Sequence, residues 1–139
     1  MIIHISTDKA LLDIAFIHSF LTSSYWSESI PEEIVRKSIE HSMCFGIYGD
    51  ETQIGFARVV TDYCTFAYLA DVFIDRQLNG QGHGKMLMQY IKSHKDLQAI
   101  KRWHLVTKDA QGLYRHFGFE DVQSPEQHME ITHPNIFRK

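Results

Sequence analysis

Cysteine is scarce in this sequence. Cys44 and Cys64 are the two cysteines among 139 residues, and both lie in apolar stretches. A disulfide framework needs more cysteines, and a structural zinc site needs paired ligands at short spacing. The nine histidines are scattered and form no HxxxH or HxH pair. We therefore predict two reduced, buried cysteines and no metal site.

Basic charge and long apolar runs are missing as well. The formal net charge is −3 at pH 7, so the chain has no basic footprint for a nucleic-acid backbone. No stretch approaches the roughly 18 apolar residues that span a bilayer, and the N-terminus lacks the basic and apolar segments of a signal peptide. We expect a cytoplasmic protein without nucleic-acid or membrane partners. Its length suits a single domain over residues 1–139.

Hydrophobic periodicity indicates a mixed α+β fold without repeats or linkers. An antiparallel hairpin region is followed by a strand–loop–helix–strand unit. The Gly49-Asp-Glu-Thr segment is a hairpin signal, and Ser29-Ile-Pro-Glu32 has the form of a helix capping box. In chain order the predicted elements are strand 2–6, helices 9–20 and 31–41, strands 43–48, 53–62 and 66–74, helix 84–94, strand 102–107, helix 110–117 and a closing strand 122–132.

The predicted strand 66–74 is apolar on both faces apart from Asp71. That pattern is typical of a central strand covered on both sides. The strand leads into the glycine-rich segment Gly80-Gln81-Gly82-His83-Gly84-Lys85, which opens the next helix. Helix N-termini offer unpaired N–H groups and the positive end of a dipole, and glycines let a ligand approach the backbone.

A diphosphate is the natural ligand of such a loop. The alternative is a tight turn that needs positive φ, which glycine also supplies. Three glycines at alternate positions, followed at once by Lys85 and a helix, favour phosphate binding. A Walker A loop is excluded because Asn79 and Met86 replace its first glycine and its hydroxyl residue. The dinucleotide fingerprint fails because its last glycine would fall on Lys85 or Leu87.

Two motifs resemble those of the GNAT superfamily of N-acetyltransferases. The acetyl-CoA motif Gln/Arg-x-x-Gly-x-Gly/Ala is matched by Asn79-x-x-Gly82-x-Gly84, with Asn79 in place of the usual Gln or Arg. The segment 109–119, which contains Tyr114 and ends in Gly-Phe, is similar to the second signature of the family. The resemblance covers roughly residues 53–119. It implies a mixed, mostly antiparallel central sheet flanked by helices, with a splayed central strand.

The resemblance also implies acetyl-CoA as cosubstrate and assigns roles to individual residues. Backbone groups of Val72, Phe73 and Ile74 would pair with the pantetheine arm and polarise the acetyl carbonyl. By motif position Tyr114 would protonate the departing thiolate as a general acid; the alternative is a packing tyrosine on an amphipathic helix. The residues expected to hold the diphosphate, mainly through backbone amides, are Asn79, Gly80, Gln81, Gly82, His83, Gly84 and Lys85.

The general base is left open at this point. Asp71 is a candidate because burial would raise its pKa, but a salt bridge or hydrogen bond to a neighbour is the alternative. Tyr68 and His104 are further candidates, and many family members rely on water chains. A covalent route through Cys64 is disfavoured because no His/Asp pairing lies nearby.

Tyr25 and Trp26 lie in a polar loop where this family lines the acceptor site. They either bind a cationic amine through their π faces or plug the loop. Our main hypothesis is an N-acetyltransferase acting on a primary amine of a small molecule or peptide. The alternatives are a CoA sensor without turnover and an acyltransferase acting on a protein amine. Because dimers are common in the family, a homodimer is a further expectation.

Overall fold

A single mixed sheet organises the chain. The structure is a computed structural model and describes residues 1–138. The strands are β1 (Ile3–Ser6), β2 (Met43–Gly49), β3 (Thr52–Thr61), β4 (Phe66–Ile74) and β5 (Arg102–His104). The α-helices are α1 (Ile14–Thr22), α2 (Glu32–Glu40), α3 (His83–Ser93) and α4 (Gln111–His116).

The five strands lie in the order β1-β2-β3-β4-β5. Neighbours are antiparallel from β1 to β4, whereas β4 and β5 run parallel. The β2–β3 hairpin turns at Asp50 and Glu51, whose φ angles of 48° and 70° suit a tight turn matched to the strand twist. The predicted α+β sheet, mostly antiparallel and flanked by helices, is confirmed.

Each face of the sheet buries its own apolar core because successive residues of a strand point to opposite sides. On one face Val59 and Leu69 pack in the same cluster as Leu87 and Ile91 of α3. On the other face the sheet side chains pack with α1 and α2, in a cluster that comprises Ile17, Leu21, Ile30, Val35, Ile39, Cys44, Phe56 and Phe73. Strand β4 contributes to both cores, as predicted for residues 66–74.

Strand β4 diverges from β5 after a short parallel pairing. The paired residues run from Phe66 opposite Arg102 to Tyr68 opposite His104. Beyond Tyr68 the register shows β4 paired with β3 alone, and a bulge at Asp71 shifts that register. The edge of β4 from residue 69 to 74 is therefore open on its β5 side. The predicted splay of the central strand is confirmed.

The predicted closing strand 122–132 is wrong. This segment forms a 3-10 turn at Pro125–Gln127 and otherwise runs without strand pairing. Met129 and Ile131 are 96% and 90% exposed. Met129 and Ile131 would share one face of a strand, but here that face has no partner within the described residues. The pattern therefore carried no information on pairing.

Two helix starts also differ from prediction, for reasons of capping. Asp13 accepts a hydrogen bond from the Phe16 amide at 3.0 Å, so α1 begins at Ile14 and the residues before it form a separate 3-10 turn. The predicted capping box fails because Ser29 has φ 67° and lies outside α2, whose cap residue is Pro31.

The two cysteines differ in exposure, so the prediction of two buried thiols is half wrong. Cys44 is 1% exposed, whereas Cys64 is exposed in the β3–β4 hairpin. The error arose because the aromatic neighbours of Cys64 in sequence lie on the same surface hairpin. Within residues 1–138, no helix has the length and apolar character needed to cross a membrane.

Thiol alkylation is expected to separate the two cysteines. Burial raises the pKa of the Cys44 thiol to about 11, so little thiolate forms at that residue and the reagent cannot reach it. Iodoacetamide at pH 8 should add one adduct to the native protein, at Cys64, and a second only after unfolding, as read by peptide mass spectrometry. Cys64→Ser should leave the native protein unlabelled. Equal labelling rates at both thiols would contradict the packing of β2 against α2.

Candidate active site

A cleft of about 1090 Å³ opens where β4 and β5 diverge. Its walls are the free edge of β4, the glycine-rich loop, the start of α3, the segment after β5 with α4, and the loop between α1 and α2. The splay of the sheet thus creates the cleft. The sequence motifs for donor binding and the aromatic loop residues meet around it.

The glycine-rich loop connects β4 to α3 by a short turn. The Asp75 amide donates to the Ile54 carbonyl at 2.7 Å, and the Asp75 carboxylate accepts from the Gln77 amide at 3.0 Å. Gly80 and Gly82 follow with φ angles of 81° and 87°. Both positions are left-handed, a conformation in which any side chain is strained. The turn interpretation of these two glycines therefore holds.

The same loop also fits an anion. A Cβ atom built on Gly80 or Gly82 would meet no protein atom within 4 Å, so the space in front of both residues is open. Gly82 is the cap residue of α3, whose first amides cannot be paired inside the helix. The loop therefore combines open backbone with a helix N-terminus, which is the arrangement that binds phosphate groups.

The side chains of this loop divide into two groups. Asn79, Gly80, Gly82, His83 and Gly84 line the cleft. Gln81 and Lys85 are exposed and are not part of its lining. The side chain of His83 is buried, and its Nδ1 atom lacks a hydrogen-bond partner. The loop therefore offers the cleft mainly backbone and small side chains.

The open edge of β4 forms one wall of the cleft. Val72, Phe73 and Ile74 line it, as does the bulge residue Asp71. On the other side of the strand, Phe73 and Ile74 pair with Phe56 and Gly55 of β3. The backbone groups on the cleft side are those that β5 would have paired in a continuous sheet. They can receive an extended ligand as an added strand.

Tyr114 lies on α4 and is 8% exposed. Its ring packs edge to face with Phe119 at a centroid distance of 5.9 Å, while the residue also lines the cleft. Burial, with a smaller contribution from Tyr25, raises the pKa of the Tyr114 phenol to about 12. The residue therefore packs as a core tyrosine and at the same time presents a protonated phenol to the cleft.

The carboxylate of Asp71 is held by two donors. Arg58 Nε lies 2.9 Å from Oδ2, and Trp26 Nε1 lies 2.9 Å from Oδ1. The side chain of Asp71 is 8% exposed and that of Arg58 is 19% exposed. Of the two interpretations of Asp71, the hydrogen-bonded ion pair is the one present in this structure.

The other candidate bases lie less favourably. Tyr68 lines the cleft and stacks on His104 at 5.8 Å. Burial, followed by the nearby Asp71 carboxylate, raises the pKa of the Tyr68 phenol, which keeps it protonated at neutral pH. His104 borders a neighbouring groove and is not part of the lining of the main cleft. Cys64 also lies outside that lining.

Tyr25 and Trp26, in the loop between α1 and α2, line the cleft. They are 60% and 42% exposed and meet edge to face at 5.1 Å. The Trp26 ring packs against the Phe20 ring at a centroid distance of 6.2 Å, and the Lys108 ammonium lies 5.4 Å from the Tyr25 ring centre. Both aromatic residues thus line the cleft and anchor their loop, and a cation already lies near the Tyr25 ring.

Sequence reasoning missed Arg58 and Arg76. Arg58 is the one charged residue in β3, and Asp71 is the one charged residue in β4. Isolated opposite charges on two consecutive strands could have predicted this ion pair. Arg76 lines the cleft with its guanidinium 4.6 Å from the Phe20 ring centre. Within residues 1–138, no cluster of three or more His, Cys, Asp or Glu side chains could hold a metal ion.

Known proteins share both the sequence and the fold. A “Putative acetyltransferase” of Gibberella zeae is 29% identical over 143 residues, covering 86% of this chain and 80% of that protein. A crystal structure of a “putative acetyltransferase belonging to the gnat family” from Xanthomonas campestris pv. campestris is 43% identical. It superposes with a TM-score of 0.96 over 100% of this chain and 99% of that one.

A more distant structure shares the fold alone. It is a “predicted acetyltransferase with acetyl-CoA” from Clostridium acetobutylicum, 12% identical, with a TM-score of 0.69 over 94% of this chain and 96% of that one. The family described as “Acetyltransferase (GNAT) domain” matches residues 40–121, which include β2 to β5, the glycine-rich loop, α3 and α4. The chain therefore belongs to the GNAT family of acetyltransferases.

Proposed function

We propose that the protein transfers an acetyl group from acetyl-CoA to a primary amine of a small molecule or peptide by direct attack. The observation that carries the proposal is the open edge of β4, which leads directly into the left-handed glycines and the start of α3. CoA is an extended molecule with a diphosphate at one end. It therefore matches an open strand edge that is followed by an anion site.

The glycine-rich loop would bind the diphosphate through backbone amides. The first amides of α3, at His83, Gly84 and Lys85, point out of the helix end and need an acceptor. Arg76 also lines the cleft, with its guanidinium 4.6 Å from the Phe20 ring centre, and would add a positive charge. Asn79 is too short to reproduce the contact of the usual Gln or Arg, so backbone groups would supply most of the binding.

The edge of β4 would orient the acetyl group. Acetyl-CoA would supply an activated thioester, and its sulfur would leave as the thiolate of CoA. Backbone groups of Val72, Phe73 and Ile74 would hold the pantetheine arm, and an amide N–H on this edge would polarise the acetyl carbonyl. The acceptor amine, with an ordinary pKa near ~10.4, must lose a proton before it attacks.

Tyr114 would act on the leaving sulfur. Its pKa of about 12 keeps the phenol protonated across the neutral range, so the hydroxyl can donate to a developing thiolate. A thiol has an ordinary pKa near ~8.5, so complete transfer of the proton from this phenol is uphill. We therefore propose that Tyr114 stabilises the sulfur by hydrogen-bond donation, and that the proton lost by the amine balances the thiolate through solvent.

The loop with Tyr25 and Trp26 would form the acceptor end of the cleft. It lines the cleft next to the bulge at Asp71. An amine entering between this loop and β4 would meet the acetyl group at Val72–Ile74. Aromatic faces there favour cationic or aromatic amines.

Acetyl-CoA is expected to raise the melting temperature. At a concentration about 100 times its Kd, a ligand of the native state adds about 2.7 kcal/mol, or a Tm rise of roughly 10 °C for a domain of this size. Differential scanning fluorimetry measures the rise, with adenosine as the control that lacks the diphosphate and pantetheine. An unchanged Tm at millimolar acetyl-CoA would contradict the donor site.

Turnover is tested by thiol release from acetyl-CoA with a panel of amines. The panel contains 2-phenylethylamine, spermidine, lysine and a dipeptide with a free N-terminus. Release above the amine-free rate, with acetylated product in the mass spectrum, supports the enzyme. A Tm rise without release from any panel amine would favour the CoA sensor, and release only with a folded protein as acceptor would favour acylation of protein amines.

A further inference from the structure

Four side chains form a continuous chain of hydrogen bonds beside the acceptor end of the cleft. Trp26 Nε1 donates to Asp71, Arg58 Nε donates to the other carboxylate oxygen, and Arg58 Nη1 donates to Ser42 Oγ at 3.0 Å. The chain therefore links the α1–α2 loop to β4 and β3, and from there to the residue that precedes β2.

The central residue of this chain has a constrained backbone. Asp71 has φ 55°, a left-handed conformation that residues other than glycine adopt only when their surroundings hold them. Asp71 and Val72 are the two residues that the β3–β4 register passes over, between Ala70 opposite Arg58 and Phe73 opposite Phe56. The side chain of Asp71 therefore points from this bulge to Arg58 and Trp26. The next residue, Val72, lines the cleft on the open edge of β4.

The same carboxylate holds the acceptor loop to the sheet. Within the loop, Ser24 Oγ donates to the Leu21 carbonyl at 2.6 Å, and the Ser29 amide donates to the Thr22 carbonyl at 2.9 Å. These bonds shape the loop but do not fix it to the sheet. Among the hydrogen bonds of residues 1–138, the one that joins this loop to a strand is Trp26 to Asp71.

We propose that Arg58, Asp71 and Trp26 form a positioning strut for the acceptor site, and that Asp71 is a positioning residue and not the general base. The proposal rests on the proposed acetyl transfer. Arg58 fixes the carboxylate, the carboxylate fixes the indole, and the indole sets the distance between the acceptor loop and Val72–Ile74. Each oxygen of Asp71 accepts a hydrogen bond, one from Arg58 and one from Trp26, so the contacts of the carboxylate are those of a group that positions side chains.

Fluorescence tests the strut without an acceptor. Trp26 and Trp103 are the two tryptophans of the chain, so Trp103→Phe leaves Trp26 as the sole indole. In that background Asp71→Gly removes the carboxylate but favours the left-handed backbone. Acrylamide should quench Trp26 about twice as strongly in the glycine variant as in its parent, because the exposed indole loses its anchor. Tyr25→Phe is the control on the same loop and should leave quenching unchanged. Equal quenching in the parent and the glycine variant would overturn the strut.

Kinetics distinguish positioning from base catalysis. Trp26→Phe keeps the ring and the ion pair but removes the N–H donor. The acceptor is the panel amine that gives the fastest thiol release. The KM of the Trp26→Phe variant for this amine should rise about tenfold, which corresponds to one lost hydrogen bond, while its KM for acetyl-CoA stays unchanged. Asp71→Asn keeps an oxygen for the indole and should retain kcat within about threefold, with an unchanged pH profile.

The opposite result is equally specific. Asp71 is the base, and the proposal is wrong, if two results occur together. The first is a kcat of Asp71→Asn as low as that of Asp71→Gly, and the second is the loss, in Asp71→Asn, of a limb that the parent shows in its pH profile of turnover. Failure of the proposed acetyl transfer is a separate outcome. In that case the parent protein acetylates no panel amine, but acrylamide quenching still decides whether the strut exists.

Discussion

Replacing Gly82 with alanine should weaken acetyl-CoA binding by about 100-fold, or about 2.7 kcal/mol. Gly82 has φ 87°, and a left-handed alanine costs about 1–2 kcal/mol. The added methyl group would also occupy the open space in front of the loop, where no protein atom lies within 4 Å. The methyl group and the shift of the strained loop backbone would together break charge-assisted hydrogen bonds between the loop amides and the diphosphate, which are worth about 1.5–3 kcal/mol each. Isothermal titration calorimetry measures the change.

Gly118→Ala is the matched control for backbone strain. Gly118 has φ 97°, no atom within 4 Å of an added Cβ, and no place in the lining of the cleft. Both variants should therefore lose about 1–2 kcal/mol of unfolding free energy, but Gly118→Ala should bind acetyl-CoA as the parent does. If the two variants bind equally, the glycine-rich loop does not hold the diphosphate.

Tyr114→Phe should lower kcat by about 10- to 100-fold, with little change in acetyl-CoA affinity. The substitution removes the hydroxyl that would face the leaving sulfur but keeps the ring that packs on Phe119. Because the packing of the ring on Phe119 is kept, the substitution should leave the Tm nearly unchanged. Stopped-flow or continuous thiol detection measures the turnover.

Tyr90→Phe is the control for this experiment. Tyr90 is half-buried on α3 against Phe45 and is not part of the cleft lining, so its hydroxyl should not affect turnover. The pKa also makes a prediction for the pH profile. A phenol that titrates near 12 cannot produce a basic limb below about pH 10, so any such limb belongs to another group. Full activity of Tyr114→Phe would remove the residue from the mechanism.

The sequence predicted the glycine-rich loop well because its signal is local. Backbone conformation, helix start and open space all follow from residues adjacent in the chain, and the structure places Gly80 and Gly82 in the left-handed region. The tight turn is confirmed, whereas phosphate binding stays a prediction; the two are compatible because a backbone that leaves space for an anion needs the same φ angles.

The failed predictions share a physical reason, which is that pattern does not specify a partner. We predict a closing strand over 122–132, but strands form only against a neighbour, and within the described residues this segment has none. Cys64 has apolar neighbours in sequence and is still exposed, because hairpin residues lie at the surface. The Asp71 carboxylate was recognised as unusual, yet its partners Arg58 and Trp26 are 13 and 45 residues away.

A crystal structure of the protein with CoA would show the donor site itself. We expect the diphosphate against the amides of residues 80–85, the pantetheine along the edge of β4 at Val72–Ile74, and the sulfur within hydrogen-bond distance of the Tyr114 hydroxyl. A CoA molecule bound elsewhere, or a pantetheine arm directed away from Tyr114, would contradict this expectation.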